Sequence, residues 1–341
     1  MNPPESDPHA WLETDAIRRV SDIALSVIVL MVGVVALRYG TDYGAGSLTR
    51  LGPGFFPAVV AGLLCVVAVV LLLRATLRRS PPVVRRSRPL YVAIVAATVV
   101  VLTFAAQTWG APLLLHFGPA EFTALLVLEL AVATALAHSS RTRAAGMALL
   151  GLLLSTVGTD VNSGVARFTM GVEALSDGID TGIVLIGLFV VGDALVCLVS
   201  PTMFLRTYTR LITAWRAARI PVPAALVMRL AAALALAYAC YYEAYALSLS
   251  YVDVASILVF GILGVAAKIF GWNRFLLYMG FALGAMLEEN IRRAMLLAGG
   301  DPSALLRRPV SATLLVAAMA ILASVVVFSV RRAARAREPQ R

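Results

Sequence analysis

With 341 residues, 60% of them hydrophobic and 14% charged, and a mean hydropathy of +0.87, the chain cannot hide its apolar surface inside a soluble globule. Its net charge of +10 rests on arginine, because Lys268 is the one lysine beside 28 arginines. These cations gather at the ends of apolar runs, which makes them a topology signal and argues against a nucleic-acid partner. No Walker motif, zinc spacing, calcium loop or Ser/His/Asp arrangement occurs, so neither direct ATP use nor enzymatic chemistry is expected.

The N-terminal stretch "MNPPESDPHAWLETDAIRRV" is acidic and proline-rich before its arginine pair. No small-residue cleavage site follows the first apolar run, which is therefore read as an uncleaved helix. Apolar runs lie near residues 22–39, 55–73, 90–106, 122–137, 144–157, 182–199, 222–247, 254–270, 275–287 and 310–330. Several reach the length a bilayer requires, and the fold expected is an all-α polytopic bundle of about 8–10 membrane segments. The runs 144–157 and 275–287 are short enough to be tilted, re-entrant or packed within the bundle. With a cytoplasmic N-terminus and every run crossing, 21 lysines and arginines fall on the inner side and 7 on the outer: Arg38, Arg50, Arg167, Arg292, Arg293, Arg307 and Arg308. This asymmetry predicts that both termini are cytoplasmic. Four of the outer arginines sit in 288–309, read as a loop, and would suit the inner side if 275–287 were re-entrant.

Between the first two runs, "LTRLGPGFFP" concentrates Gly52, Pro53, Gly54 and Pro57, residues that punctuate a helix. A periplasmic turn is expected there, with Phe55 and Phe56 at the interface and Pro57 opening the second helix. The linker "TLRRSPPVVRRSRP" is basic and proline-rich, and "RTYTRLITAWRAARI" is spaced to lie along the inner surface as an amphipathic helix. The stretch from Gly158 to Thr181 is polar and rich in Gly, Asp and Ser, and is expected to be structured by turns. Within it Asp160, Asp177 and Asp180 match no calcium loop, so turn-forming and capping roles are expected. Cys65, Cys197 and Cys240 fall in apolar runs and read as small hydrophobes, while His9, His116 and His138 are dispersed.

Ionisable residues inside the runs are costly and mark candidate sites. They are Glu129, Asp193, Arg229, Glu243 and the pair Glu288 and Glu289. Glu129 and Asp193 lie nearest mid-run and are candidates for a coupling ion, with Arg229 a candidate partner for such a carboxylate or for a substrate's. In "LEENIRRAMLLAGGD", Glu288 and Arg292, and Glu289 and Arg293, stand at i,i+4 in the favourable orientation for helix ion pairs. Such pairs would neutralise a helix end or form a docking face for a periplasmic partner.

Three stretches carry a family resemblance. "LGPGFFP" between two membrane helices, followed by a basic linker and a third helix, resembles the small subunit of the tripartite tricarboxylate transporter family (TctB-like) over residues 20–107. "HFGPAEFTALLVLEL" and "GLLLSTVGTDVNSGVARFTMGVEALSDGIDTGIVLIGLF" resemble its large subunit (TctA-like) over residues 116–189. "DVASILVFGILGVAAKIFGWNRFLLYMGFALGAMLEENIRRAMLLAGGDPSALLRRPVS" resembles that subunit's C-terminal end over residues 253–311. The implied organisation is a TctB-like region at 1–107, a TctA-like region at 108–200, and a cytoplasmic connection with a TctA-like C-terminal region at 201–341. The residues carrying the resemblance are Gly52, Pro53, Gly54, Pro57, Gly118, Pro119, Glu121, Gly158, Asp160, Arg167, Phe168, Asp177, Gly178, Asp180, Glu288, Glu289, Arg292 and Arg293. The resemblance implies a multi-pass protein of the bacterial inner membrane. It would take part in secondary transport of small carboxylates driven by Na⁺ or H⁺, without a bound cofactor. Its partners would be a periplasmic solute receptor, other membrane subunits and lipid, with no nucleic acid. Two Gly/Pro-rich membrane motifs of the family's large subunits have no counterpart here. The chain is therefore expected to need a further large subunit for transport, or to be a non-transporting scaffold beside one.

Overall fold

The computed structural model describes residues 8–77, 118–137, 141–199 and 251–335, with side chains for 23–76, 118–137, 142–196 and 252–323. The basic linker from Arg78 onward, the amphipathic connection, the runs 90–106 and 222–247, and Arg229, Glu243, Cys240, His116 and His138 lie outside what is described, as do the side chains of His9 and Cys197. The described residues are mostly helical. Among the described residues, four helices are long and apolar enough to cross a membrane: Ile23–Asp42, Phe55–Thr76, Pro119–Leu136 and Val252–Phe270.

Helices α1 (Pro8–Asp42) and α2 (Phe55–Leu77) form an antiparallel pair joined by a two-stranded hairpin, β1 (Gly46–Ser47) and β2 (Arg50–Leu51). Helices α3 (Pro119–Leu136) and α4 (Arg141–Leu154) follow. A second hairpin, β3 (Gly158–Thr159) with β4 (Ala166–Arg167), begins the polar loop. The run 182–199, expected as one helix, is divided into α5 (Thr181–Leu185), a π-helical stretch Ile186–Val191 and α6 (Gly192–Val199). Then come α7 (Tyr251–Phe270), α8 (Arg274–Leu297), the single turn α9 (Ala304–Arg307) and α10 (Pro309–Arg335).

The short run 144–157 is packed within the bundle. Ala144, Met147, Ala148, Leu150, Leu152 and Leu153 of α4 are all buried, between α2 on one side and α8 on the other. Small residues permit the close crossing of α4 and α8. A Cβ on Gly280 would strike the Ala148 carbonyl, and one on Gly151 the Leu277 carbonyl. The short run 275–287 is not followed directly by a loop. Its helix continues to Leu297 through the charged EENIRR segment, because the charges there are paired (below) and do not halt the helix.

Both hairpins share one end of the bundle with the start of α3, the end of α8 and the start of α10. There the Pro53 carbonyl accepts from Arg167, Gly300 abuts Thr49, and Arg308 meets Glu121. The opposite end holds the last turn of α2, the first turn of α4, and the junction of α7 with α8, where Arg74 donates to Thr142 at 3.1 Å. Segment α5 to α6 runs parallel to α7: Gly187 faces Ile257, Gly192 faces Gly264, and Asp193 meets Lys268. Val199 therefore lies toward the opposite end and Tyr251 at the hairpin end.

Candidate functional site

Among the described residues, two clusters of charge are built into the bundle. At the hairpin end Asp160, Arg167, Glu288 and Arg292 are almost wholly shielded from solvent. Arg167 Nη1 donates to Glu288 Oε1 at 2.6 Å and to the Pro53 carbonyl at 3.1 Å. Arg292 Nη2 reaches the same Glu288 oxygen at 2.6 Å, and its Nη1 reaches Asp160 Oδ1 at 2.7 Å. Asp160 also accepts from the Ser163 backbone N–H at 3.1 Å and the Ser163 hydroxyl at 2.5 Å. Two cations face two carboxylates, so the cluster is neutral and largely satisfied, which is the condition under which buried charges are tolerated. Burial pushes the Asp160 carboxyl upward, but hydrogen bonds from Arg292 and Ser163 and the charges of Arg292 and Arg167 outweigh it and hold the group below the ordinary aspartate range. Arg292 is desolvated too, yet Asp160 and Glu288 raise it above the ordinary arginine value.

The backbone presents these side chains by local rules. In β3 and β4 the pairs Gly158↔Arg167 and Thr159↔Ala166 aim Arg167 inward. Gly158 takes a positive φ of 124° and lies so close to the Gly178 backbone that a Cβ has no room, and Gly178 itself takes a positive φ of 81°. Phe168 is held at φ 54° by a hydrogen bond from its N–H to the Tyr43 hydroxyl at 3.0 Å, and its ring meets Tyr43 edge-on at 5.4 Å. The first hairpin is thereby joined to the second.

At the opposite end, Asp193 Oδ1 accepts from Lys268 Nζ and Arg274 Nη1, each at 2.9 Å. Arg274 also donates to the Leu188 carbonyl at 2.9 Å, within the π-helical stretch, and stacks 5.2 Å from the centre of the Phe189 ring. π-helical turns inside helices are frequent at functional sites. Here the turn sits where Gly187, Gly192, Gly261 and Gly264 let α7 press against the broken helix. Among the described residues, one carboxylate faces two cations here, a surplus of positive charge at this partly shielded site. The partner foreseen for a buried carboxylate, Arg229, lies outside the described residues, and Asp193 has Lys268 and Arg274 instead. Those two read in sequence as cytoplasmic topology determinants. That Lys268 is the chain's one lysine, inside an apolar run, is the signal that could have found it.

The other expected residues fall as follows. Glu129 stands exposed on α3, and no ion pair to it occurs among the described residues. Both i,i+4 pairs of EENIRR form, Glu289 with Arg293 at 2.7 Å on the exposed side, where Glu289 also accepts from Asn162. Gly118 precedes α3, Pro119 opens it, and buried Glu121 accepts from the Gly118 N–H at 2.9 Å and from Arg308 at 3.3 Å. Asp180 caps α5 through the Gly182 N–H at 2.7 Å, as a capping role requires, and Asp177 is exposed. Asp160 exceeds the turn-forming role expected of it. Pro57 lies in the first turn of α2, and Phe56 is buried against the core instead of sitting at the interface, because α2 begins at Phe55 and turns Phe56 toward α1 and its neighbours. Gly54 is packed so tightly on the Gly40 carbonyl that a Cβ has no space.

Residues 90–207, which include the second hairpin and Asp193, match the family model of the Tripartite tricarboxylate transporter TctA family. That is a transporter family and not an enzyme family. Two Agrobacterium vitis proteins are similar over part of the chain. The "Uncharacterized 52.8 kDa protein in TAR-I ttuC' 3'region" is 46% identical over 79 residues, 23% of this chain and 16% of that protein. The "Uncharacterized protein in TAR-II ttuC' 3'region" is 43% identical over 63 residues, 18% of this chain and 26% of that protein. The chain thus aligns with about a sixth and about a quarter of these relatives. No solved structure matches.

Proposed function

We propose that the chain is a membrane component of a tripartite tricarboxylate transporter in the bacterial inner membrane. In this reading it serves the passage of small carboxylates together with a periplasmic solute receptor and a full-length large subunit. The observation that carries this reading is the TctA match over residues 90–207, which contains the broken helix and Asp193. Discontinuous membrane helices with charged side chains at the break are where secondary transporters meet anions and coupling ions. The surplus positive charge of Lys268 and Arg274 over Asp193 suits an anion better than a cation. In this arrangement the two cations meet a substrate carboxylate, while Asp193 and the Leu188 carbonyl fix their positions. A Na⁺ or H⁺ gradient supplies the energy, and coupling-ion binding falls to other groups of the assembly.

A second reading is a non-transporting scaffold beside a complete permease. The neutral, internally closed cluster at the hairpin end favours it, since that end is built for cohesion. Both readings predict that purified chain with receptor alone shows no gradient-driven citrate uptake in proteoliposomes. Addition of the large subunit is expected to restore uptake in the first reading, with Asp193→Asn, Lys268→Gln and Arg274→Gln each lowering it by about tenfold or more, the scale of losing a charge-assisted contact. Uptake that the three variants leave unchanged identifies the scaffold. Uptake by the chain and receptor without a large subunit overturns the dependence on a partner subunit.

A further inference from the structure

The polar loop that begins with the second hairpin carries two bulky apolar side chains with almost no cover: Val161 is 95% exposed and Met170 94%. Among the described residues the next most exposed large apolar side chain is Leu297, at 71%. Most of the others stand on long helices, whose apolar faces suit lipid, whereas these two stand on a loop at the end of the bundle. The fold holds both in place. Val161 follows Asp160, which Arg292 and Ser163 fix, and the Gly164 N–H closes the turn on the Asp160 carbonyl at 2.8 Å. Met170 follows buried Thr169, and the backbone there passes through left-handed Phe168, Met170 and Gly171, at φ 54°, 51° and 77°. A left-handed methionine is strained, and such strain persists where the surroundings impose it and collects at functional sites. Here the Tyr43 hydroxyl fixes Phe168, and the Val172 N–H donates to the Thr169 carbonyl at 2.9 Å. A solvated loop gains nothing from this bracing. A contact for a partner does, because its ordering is complete before the partner arrives.

The charge around these side chains says which partner. Glu173, Asp177 and Asp180 are exposed, and none has an ion pair among the described residues. The loop's arginine, Arg167, is buried and paired, and Arg293, Arg307 and Arg308 at the same end are each paired as well. The loop's unneutralised charge is therefore negative, which repels an anionic lipid surface and attracts a basic protein surface. We propose that Val161 and Met170 are the apolar contacts of a docking surface for a soluble protein, whose apolar recesses are rimmed by basic side chains that face Glu173 and Asp177. The inference rests on the reading of the chain as a transporter component, and the partner it assigns to this surface is the solute receptor. The surface lies at the end that the arginine asymmetry predicts to be periplasmic.

The test uses the full chain, one copy per nanodisc of phosphatidylethanolamine and phosphatidylglycerol, with the purified solute receptor titrated onto it. Met170→Ser and Val161→Ser are each expected to weaken receptor binding about tenfold, the scale of an apolar hot spot. Their size-exclusion profiles are expected to be unchanged, since neither side chain is packed. Glu173→Gln combined with Asp177→Asn is expected to weaken binding and to flatten its dependence on salt. In receptor-free discs, an environment-sensitive fluorophore on Met170→Cys, in a chain with Cys65, Cys197 and Cys240 replaced by Ser, is expected to emit as in water. Receptor binding that both serine variants leave unchanged overturns the surface while the transporter reading stands. No binding to the wild type, with uptake still restored by receptor and large subunit, has the same meaning. No binding and no such uptake overturns both. Lipid-like emission without receptor assigns Met170 to the membrane and overturns the docking.

Discussion

Single positions at the hairpin end decide whether the bundle closes. Gly54 is one: its α-hydrogens lie where the Gly40 carbonyl leaves no room for a Cβ, and the obstruction is backbone, which cannot swing aside. Gly54→Leu is therefore expected to lower folded yield, measured by size-exclusion chromatography in detergent. Unchanged yield with loss of uptake alone would reassign this glycine from packing to transport. Arg167 is the second. Replacing it by Leu removes a cation from Glu288 and Asp160 and a donor from the Pro53 carbonyl. The expected destabilisation is about 3–5 kcal/mol, the range for one partner of a buried pair. Because Glu288 keeps Arg292, the combined Arg167→Leu and Glu288→Gln variant should be less destabilised than the sum of the two, and additive unfolding free energies would deny the coupling.

At the scale of elements, α8 is held to the second hairpin by Arg292 and Asp160, and this joint has a pH signature. The folded Asp160 carboxyl titrates below its unfolded value of about 3.9. Its contribution is complete above that value and is lost as pH falls through the lower folded pKa. Thermal midpoints of the wild type should decline over this acid window, and Asp160→Asn should start lower and decline less; parallel curves would sink the assignment. What the sequence made legible follows from the range of each interaction. The runs 22–39, 55–73, 122–137 and 254–270 appear as long helices because hydropathy is a local property. The pairs of EENIRR were legible for the same reason, four residues apart. The continuation of α8 beyond Leu287 was not, since an apolar run ends at its first charges while a helix whose charges are paired does not. Nor was the break at Ile186–Val191, whose cause is the close approach of α7 at Gly261 and Gly264, some 75 residues away on the scale of the Lys268 to Asp193 bond. The four-charge cluster joins residues 121 and 132 positions apart, and no local spacing announces it.

For the whole molecule, the hairpin end and the opposite end differ in how their cations are treated. Of the seven cations assigned to the outer side, six are paired with carboxylates: Arg38, Arg167, Arg292, Arg293, Arg307 and Arg308. Reporter fusions after Arg88 and after Ser176 are expected to report cytoplasm and periplasm respectively, and both on one side would overturn the orientation. The oxygen of Glu288 shared by Arg167 and Arg292 also bears on how the protein is made. Arg167 and Glu288 are separated by 121 residues of synthesis, so the second hairpin leaves the insertion machinery with its guanidinium still lacking that carboxylate. A nascent chain halted before α8 carries Asp160 and Arg167 without Glu288 and Arg292, and the hairpin end stays unlatched. Synthesis of α8 is thus the step that locks it, and a product truncated before α8 presents an open, charged loop to the proteases that clear incomplete membrane proteins.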